Sequence, residues 1–188
     1  SCGILCALSV EHLAIDTLQS VISAVYPLLK ESLALSFAQI GLITLVYQIS
    51  ASVFQPVVGF YLDKRPNPWF LPVGMTFTMT GLTTLAFAHT VTLTVVAVFL
   101  VGIGSSILHP EASRLTSIAS GGKRGMAQSL FQVGGNLGGS LGPLLVALII
   151  APYGQKHIAL FSILAVICII VMLPICKCYN RTLNEVNS

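Results

Sequence analysis

Charge is what this sequence has least of. Only 8% of its 188 residues are Asp, Glu, Lys or Arg, against 55% hydrophobic, whereas a soluble domain carries roughly 25% charged residues. A water-facing surface cannot be made from so few charges, which excludes a soluble globular domain. No basic run or interleaved aromatic platform is present to grip a nucleic acid, and the net charge of +3 is dispersed. The five cysteines, Cys2, Cys6, Cys168, Cys176 and Cys178, form no CxxC pair and have no His at zinc-ligand spacing. That excludes a disulfide framework and a cysteine metal site, so they read as small apolar helix residues. An HExxH motif is also missing, which leaves an intramembrane enzyme using His109, Glu111 and a metal without support; neither a metal nor a cofactor is expected. Neither an initiator Met nor a basic leader precedes the first apolar segment, so no cleavable signal is expected and the chain reads as an excerpt.

What is present is a series of apolar blocks, several reaching the ~20 residues that cross a bilayer. Six spans are placed at Ile4–Leu29, Phe37–Phe60, Trp69–Ala88, Val91–Leu108, Met126–Ala151 and Ile158–Ile175. Open sheet edges are not viable in lipid, so the spans must be helices. Residues 1–176 thus form one six-helix bundle, and 177–188 a cytoplasmic tail or the start of a linker. Two connections, Asp63-Lys64-Arg65-Pro66-Asn67-Pro68 and Ser120-Gly121-Gly122-Lys123-Arg124-Gly125, are dense in turn residues and cations. With the amino terminus in the cytoplasm, Lys64, Arg65, Arg114, Lys123, Arg124, Lys177 and Arg181 lie inside and only Lys30 and Lys156 outside. This satisfies the positive-inside rule for a multi-pass protein of the plasma (inner) membrane, and it makes the Asn180-Arg181-Thr182 sequon cytoplasmic and incidental.

Spans two and five echo each other. Ala38-Gln39 precedes Gln55-Pro56 as Ala127-Gln128 precedes Gly142-Pro143, the relation expected of a 3+3 inverted repeat inside a six-helix transporter half.

An ionisable group at mid-bilayer costs at least ~2.5 kcal/mol, so each needs a partner or a water-filled cavity. At 100° per residue, His12, Asp16, Gln19 and Ser23 fall in one stripe of span one, with Asp16 near mid-depth and Glu11 off the stripe. The stripe either lines a cavity or holds a His12–Asp16 hydrogen bond that only fixes packing. In span five, Gln128, Gln132 and Asn136 recur every fourth residue and suit a polar ligand or water. Gly134, Gly138 and Gly142 form one ridge there, and Gly135 and Gly139 another, for close helix approach, with Pro143 loosening the helix beyond them. Span four ends at His109-Pro110-Glu111, with His109 on one face and Glu111 on the other, three residues before Arg114. Projected for depth, His12, Asp16, Gln55, His109, Gln132 and Asn136 converge between the midplane and the cytoplasmic side. The Gly59-Phe60-Tyr61-Leu62-Asp63-Lys64 turn is either solvated or a gate latch, in which Asp63 meets a helix amino terminus or a cation such as Arg114 or Arg124 in one conformation only.

That turn resembles the loop motif of the major facilitator superfamily, and Gly134–Pro143 resembles the glycine-proline motif of its proton-coupled antiporters. More closely, residues 39–48, 55–59, 102–114, 119–125 and 128–136 resemble the fosmidomycin resistance protein family, the likeness running from His12 to Tyr153. The resemblance implies an all-α membrane protein, half of a twelve-helix fold, whose carboxy-terminal six-helix half is missing or supplied by another chain. It implies a proton-coupled efflux antiporter for small drug-like molecules, associated with antibiotic resistance; a metabolite or sugar-phosphate carrier of the same fold, or a half-length protein that binds a partner, are the alternatives. Pro66 stands where the loop motif has its second glycine, and Asn67 where an arginine is common. Val98 occupies the place of the usual span-four arginine, so proton coupling falls to Asp16, His12, His109 or Glu111. Gln19, Gln48, Gln55, Gln132 and Asn136 are the candidate substrate contacts, and Gly59, Asp63, Lys64, Arg114 and Arg124 the candidate gate.

Overall fold

A computed structural model describes residues 2–187, with side chains for residues 3–181; the sequon's Thr182 side chain lies outside that range. Among the described residues the regular structure is entirely helical: α1 (Cys2–Ala24), α2 (Tyr26–Ser32), α3 (Phe37–Lys64), α4 (Phe70–Ala86), α5 (Val91–Ala119), α6 (Arg124–Leu145), α7 (Ala151–Tyr153) and α8 (Phe161–Asn187). A π turn, Val146–Ile150, joins α6 to α7, and a 3₁₀ turn, Gln155–Leu160, leads into α8. Five helical segments are long and apolar enough to cross a bilayer, while α4 has only 17 residues, at the lower limit of ~17 to 25.

Prolines bear on the helix boundaries in two ways. Pro27 sits in the first turn of α2, a position that tolerates its missing N–H and favours a fresh start, so the first expected span divides at Val25. Pro56, Pro110 and Pro174 do not end their helices. In an apolar medium the cost of exposing a whole turn of backbone exceeds that of losing one donor. Accordingly α5 runs eleven residues past Leu108 to Ala119, α3 reaches Lys64, and α8 passes through the 176–177 boundary. Pro143 precedes the π turn, and the Val146 N–H is shared between the Gly142 and Pro143 carbonyls.

Sharp connections are fixed locally. Ser36 Oγ accepts from the Gln39 N–H while Gln39 Oε1 accepts from the Ser36 N–H, a reciprocal cap on α3. Gly121 and Gly122 hold φ of +58° and +91° in the α5–α6 turn, where a side chain would be strained.

Packing follows a paired scheme in which α1 lies along α6, α3 along α5, and α4 along both α5 and α8. Exchanging the first three membrane helices with the last three maps α1–α6 onto α5–α3 and α4–α8 onto itself, as in a 3+3 repeat, while the α4–α5 pairing is matched by only a slight α1–α8 contact. At the α1–α6 seam a Cβ on Gly134, Gly138 or Gly142 would run into the Ser9, Leu13 or Thr17 carbonyl respectively. At α4–α5, a Cβ on Gly81 would lie 2.7 Å from the Ala97 carbonyl oxygen, and one on Gly104 2.6 Å from that of Gly74. Backbones this close leave little space between helices, and Leu18, Ile22, Met75, Leu82, Val98 and Leu108 fill it, each fully buried. Leu45, Ile49, Val53, Val57 and Phe60 on α3 remain exposed, giving an apolar exterior around an apolar core, as lipid requires.

One end of the bundle is tied by a single side chain. Gln155 Nε2 donates to the carbonyls of Leu85 (2.8 Å) and Ala88 (2.9 Å), and Gln155 Oε1 accepts from Ser32 Oγ at 3.2 Å. The Leu85 carbonyl in the last turn of α4 and the Ala88 carbonyl just beyond it are thereby bracketed to α2 and to the 3₁₀ turn that leads into α8.

Replacing Gly138 by Leu is expected to force α6 off α1 and to cost about 1–3 kcal/mol of stability through overpacking. Gly139→Leu, where a Cβ meets nothing within 4 Å, should leave the unfolding temperature in detergent nearly unchanged; equal losses would show that the seam tolerates separation.

Candidate functional site

The interior polar groups collect where α1, α5 and α6 meet. His12 and Asp16, one turn apart on α1, face each other with Nε2 3.4 Å from Oδ2. From α5, His109 Nε2 approaches the other Asp16 oxygen at 3.6 Å and lies 3.0 Å from Gln19 Oε1, which also accepts from Ser105 Oγ at 3.0 Å. From α6, the Phe131 ring stacks on the His12 imidazole at 3.8 Å between centroids, and the Phe131 carbonyl lies 2.7 Å from His12 Nδ1. His12 and Gln19 are buried, while the Asp16 and His109 side chains keep 23% and 26% of their surface. Two groups are therefore sealed and two keep part of their surface exposed. Glu11 is buried elsewhere, toward Cys168 and Cys176 of α8, with Oε2 unpartnered.

The ligand atoms of His12, Asp16 and His109 lie within 4.8 Å of one another, a spacing a metal ion can bridge. The donor set argues for hydrogen bonding instead. His109 Nε2 lies 3.0 Å from Gln19 Oε1 and 3.6 Å from Asp16 Oδ1, and a nitrogen that donates its hydrogen to the nearer oxygen has no lone pair to offer a metal.

The remaining sequence-derived residues divide sharply. Glu111 is turned away from the cluster and fully buried, held bidentately by Arg114 at 2.6 and 2.9 Å, and Arg114 also donates to Tyr179 Oη at 3.3 Å. Asp63 is exposed, within electrostatic reach of Glu111 but not paired with Arg114. Lys64 lies over the Phe60 ring at 4.2 Å, Arg124 is exposed, and Gly59 packs near Pro110. Gln128 is spent on helix contact, donating to the Ser113 carbonyl at 2.9 Å and Ser117 Oγ at 2.8 Å. Gln48, Gln132 and Asn136 are exposed and Gln55 half-buried, so these four do not join the His12–Asp16–His109 cluster. Sequence reasoning missed Ser105 and Phe131. Ser105 had a usable signal, being four residues before His109 on the same helix face, whereas the Phe131 contribution is a backbone carbonyl and leaves no trace in residue type.

A six-crossing helical bundle with an apolar exterior, repeat symmetry and a few interior ionisable groups defines a polytopic membrane protein of secondary-transporter architecture. Residues 12–182 match the family described as the Major Facilitator Superfamily, and the chain belongs to it. It is 53% identical over 180 residues to the fosmidomycin resistance protein of Escherichia coli K12, covering 96% of this chain and 44% of that one. It is 44% identical to the uncharacterized MFS-type transporter YfnC of Bacillus subtilis 168, over 97% of this chain and 44% of the relative. The probable sulfoacetate transporter SauU of Cupriavidus necator is 30% identical over 72% of this chain and 32% of its own length. The chain thus spans less than half the length of the curated relatives it matches. Among solved structures, a mutant of the peptide transporter POT in complex with alafosfalin superposes with a TM-score of 0.76 at 20% identity, covering 92% of this chain and 38% of that one, a likeness of fold.

Removing Arg114 leaves the buried Glu111 carboxylate unpaired, so Arg114→Met is expected to destabilise the protein by about 3–5 kcal/mol. Arg114→Met combined with Glu111→Leu should recover most of that loss. Thermal unfolding checks this, and an uncorrected double variant would mean that the pair does not act as a unit.

Proposed function

We propose that this chain is the amino-terminal half of a proton-coupled antiporter that exports fosmidomycin-like small molecules from the cytoplasm across the plasma (inner) membrane. One observation carries the proposal: Asp16 sits between two imidazoles from different helices and keeps part of its surface exposed, whereas the buried Glu111 is tied up by Arg114. An acid that two neighbours can supply with protons, and that water reaches from one side at a time, is suited to loading and releasing protons. The 53% identity to a fosmidomycin resistance protein supports the substrate class. His12 and His109 act with Asp16 in coupling; Glu111, locked by Arg114, serves it less directly.

A second six-helix half, within a longer chain or from another, would rock against this one. Gln48, Gln55, Gln132 and Asn136, left exposed or half-exposed on α3 and α6, would meet substrate there with Gln19 behind them. Gly59, Asp63, Lys64, Arg114 and Arg124, at the basic end, would form the cytoplasmic gate, and the chain beyond residue 176 would lead toward the second half. The 30% identity to a probable sulfoacetate transporter supports a second reading, a carrier of small organic anions.

Asp16→Asn keeps the shape and removes the titrating group, so full-length transporter carrying it should lose gradient-driven flux of fosmidomycin in proteoliposomes at unchanged protein level, while Glu111→Gln loses less. If Asp16→Asn still concentrates substrate against a pH gradient, coupling lies elsewhere; if sulfoacetate alone is moved, the carrier reading replaces export. For orientation, single cysteines beside Lys64 and Lys123 should react with impermeant reagents only from the cytoplasmic side.

A further inference from the structure

The two glycine ridges of α6 meet different things. Gly134 and Gly138 face backbone carbonyls of α1 and Gly142 meets Ser20 Oγ ahead of the Thr17 carbonyl, whereas a Cβ on Gly135 would fall on the polar pair: onto His12 Cε1, 2.8 Å from His12 Nδ1 and 2.7 Å from Asp16 Oδ2. Gly135 is also four residues after Phe131, the turn whose carbonyl lies 2.7 Å from His12 Nδ1. The imidazole occupies the volume that any side chain at 135 would take.

That placement decides where the hydrogens are. A carbonyl oxygen only accepts, so His12 Nδ1 is a donor. In a neutral ring Nε2 then bears a lone pair, and it faces a carboxylate oxygen of Asp16 at 3.4 Å. Two acceptors do not attract, so the contact is favourable only with one extra proton between them, whether on the ring or on the carboxyl. The charged or titratable groups that bear on the pair are His109 of α5, whose Nε2 lies 3.6 Å from Asp16 Oδ1 and is hydrogen-bonded to Gln19 Oε1 at 3.0 Å, and Tyr47 of α3, which lies within electrostatic reach of Asp16. From α6 the pair meets the Phe131 ring and carbonyl and Gly135 itself.

We propose that Gly135 is the positioning residue of the proton site: its missing Cβ lets His12 dock on the Phe131 carbonyl, which orients Nε2 to share a single proton with Asp16, so that the conformation described is the proton-loaded one. This rests on the reading of His12 and Asp16 as the coupling pair. Gly135 touches neither proton nor substrate; it acts through the ring it admits.

The test uses full-length transporter in lipid nanodiscs with ¹⁵N-labelled histidine. In the parent, the His12 Nδ1 resonance should be of the protonated type, and Asp16→Asn should change the Nε2 resonance. Gly135→Ala should abolish the fixed Nδ1 signature and lower gradient-driven flux on the order of tenfold to a hundredfold, while Gly139→Ala alters neither. A double-mutant cycle separates positioning from plain packing. Gly135→Ala should lower the unfolding midpoint by several degrees in the parent but not in a His12→Ala background, where the ring's volume is vacant. An unchanged His12 signature in Gly135→Ala, or the same midpoint loss in both backgrounds, would overturn the assignment. These readouts need no transport, so an active Asp16→Asn transporter would defeat the coupling reading without touching the docking of His12.

Discussion

Three missing β-carbons set the distance between α6 and α1, and the interior chemistry depends on that distance. With Gly134, Gly138 and Gly142 against the Ser9, Leu13 and Thr17 carbonyls, the two helices run nearly backbone to backbone. Hydrophobic burial cannot drive such a contact in lipid, where the alternative surroundings are equally apolar; dispersion and close fit must. The close fit brings the Phe131 carbonyl within reach of His12. A separation larger by one methyl group would leave a buried imidazole with an unanswered N–H. Packing and protonation are therefore one problem in this bundle, solved on two adjacent faces of the same helix.

The polar interior is economical in a physical sense. Gln19 serves both His109 and Ser105 through one oxygen, and Arg114 engages Glu111 with two nitrogens and Tyr179 with a third. Each buried group has its partner on a neighbouring helix or one turn away, which keeps the cost of desolvation low without a water-filled interior. The exceptions among the described residues are Glu11 Oε2, Gln19 Nε2, Tyr26 Oη and Thr78 Oγ1.

Much of this could be read from residues alone, and the remainder has identifiable causes. Apolar block length, lipid's intolerance of open backbone and the Lys/Arg-rich turns were enough for six helical crossings. The 100° projection put His12, Asp16 and Gln19 on one stripe, and the same three residues form the cluster with His109. The projection also separated His109 from Glu111, as observed. Helix ends were less legible: the expected spans stop at Leu108 and Ile175, whereas α5 and α8 continue to Ala119 and Asn187. The span-five amide stripe misled in part, because periodicity gives a face but not its occupant, and Gln128 proved to be spent on Ser113 and Ser117. Gly134 and Gly135 differ by one position and 100°, and only the neighbouring helix decides that one meets backbone and the other a ring.

The Gln155 bracket makes the two ends of the bundle mechanically unlike. At its end, α2, α4 and the 3₁₀ turn into α8 share one side chain, so a twist applied to any of them is felt by all three. At the opposite end, Asp63 and Arg124 stand in solvent and the α5–α6 turn is carried on two left-handed glycines. At that rim Gln128 joins α6 to α5 and Arg114 joins α5 to Tyr179 of α8, so each rim couples its own set of helices, and a rotation imposed at one is handed to different neighbours at the other.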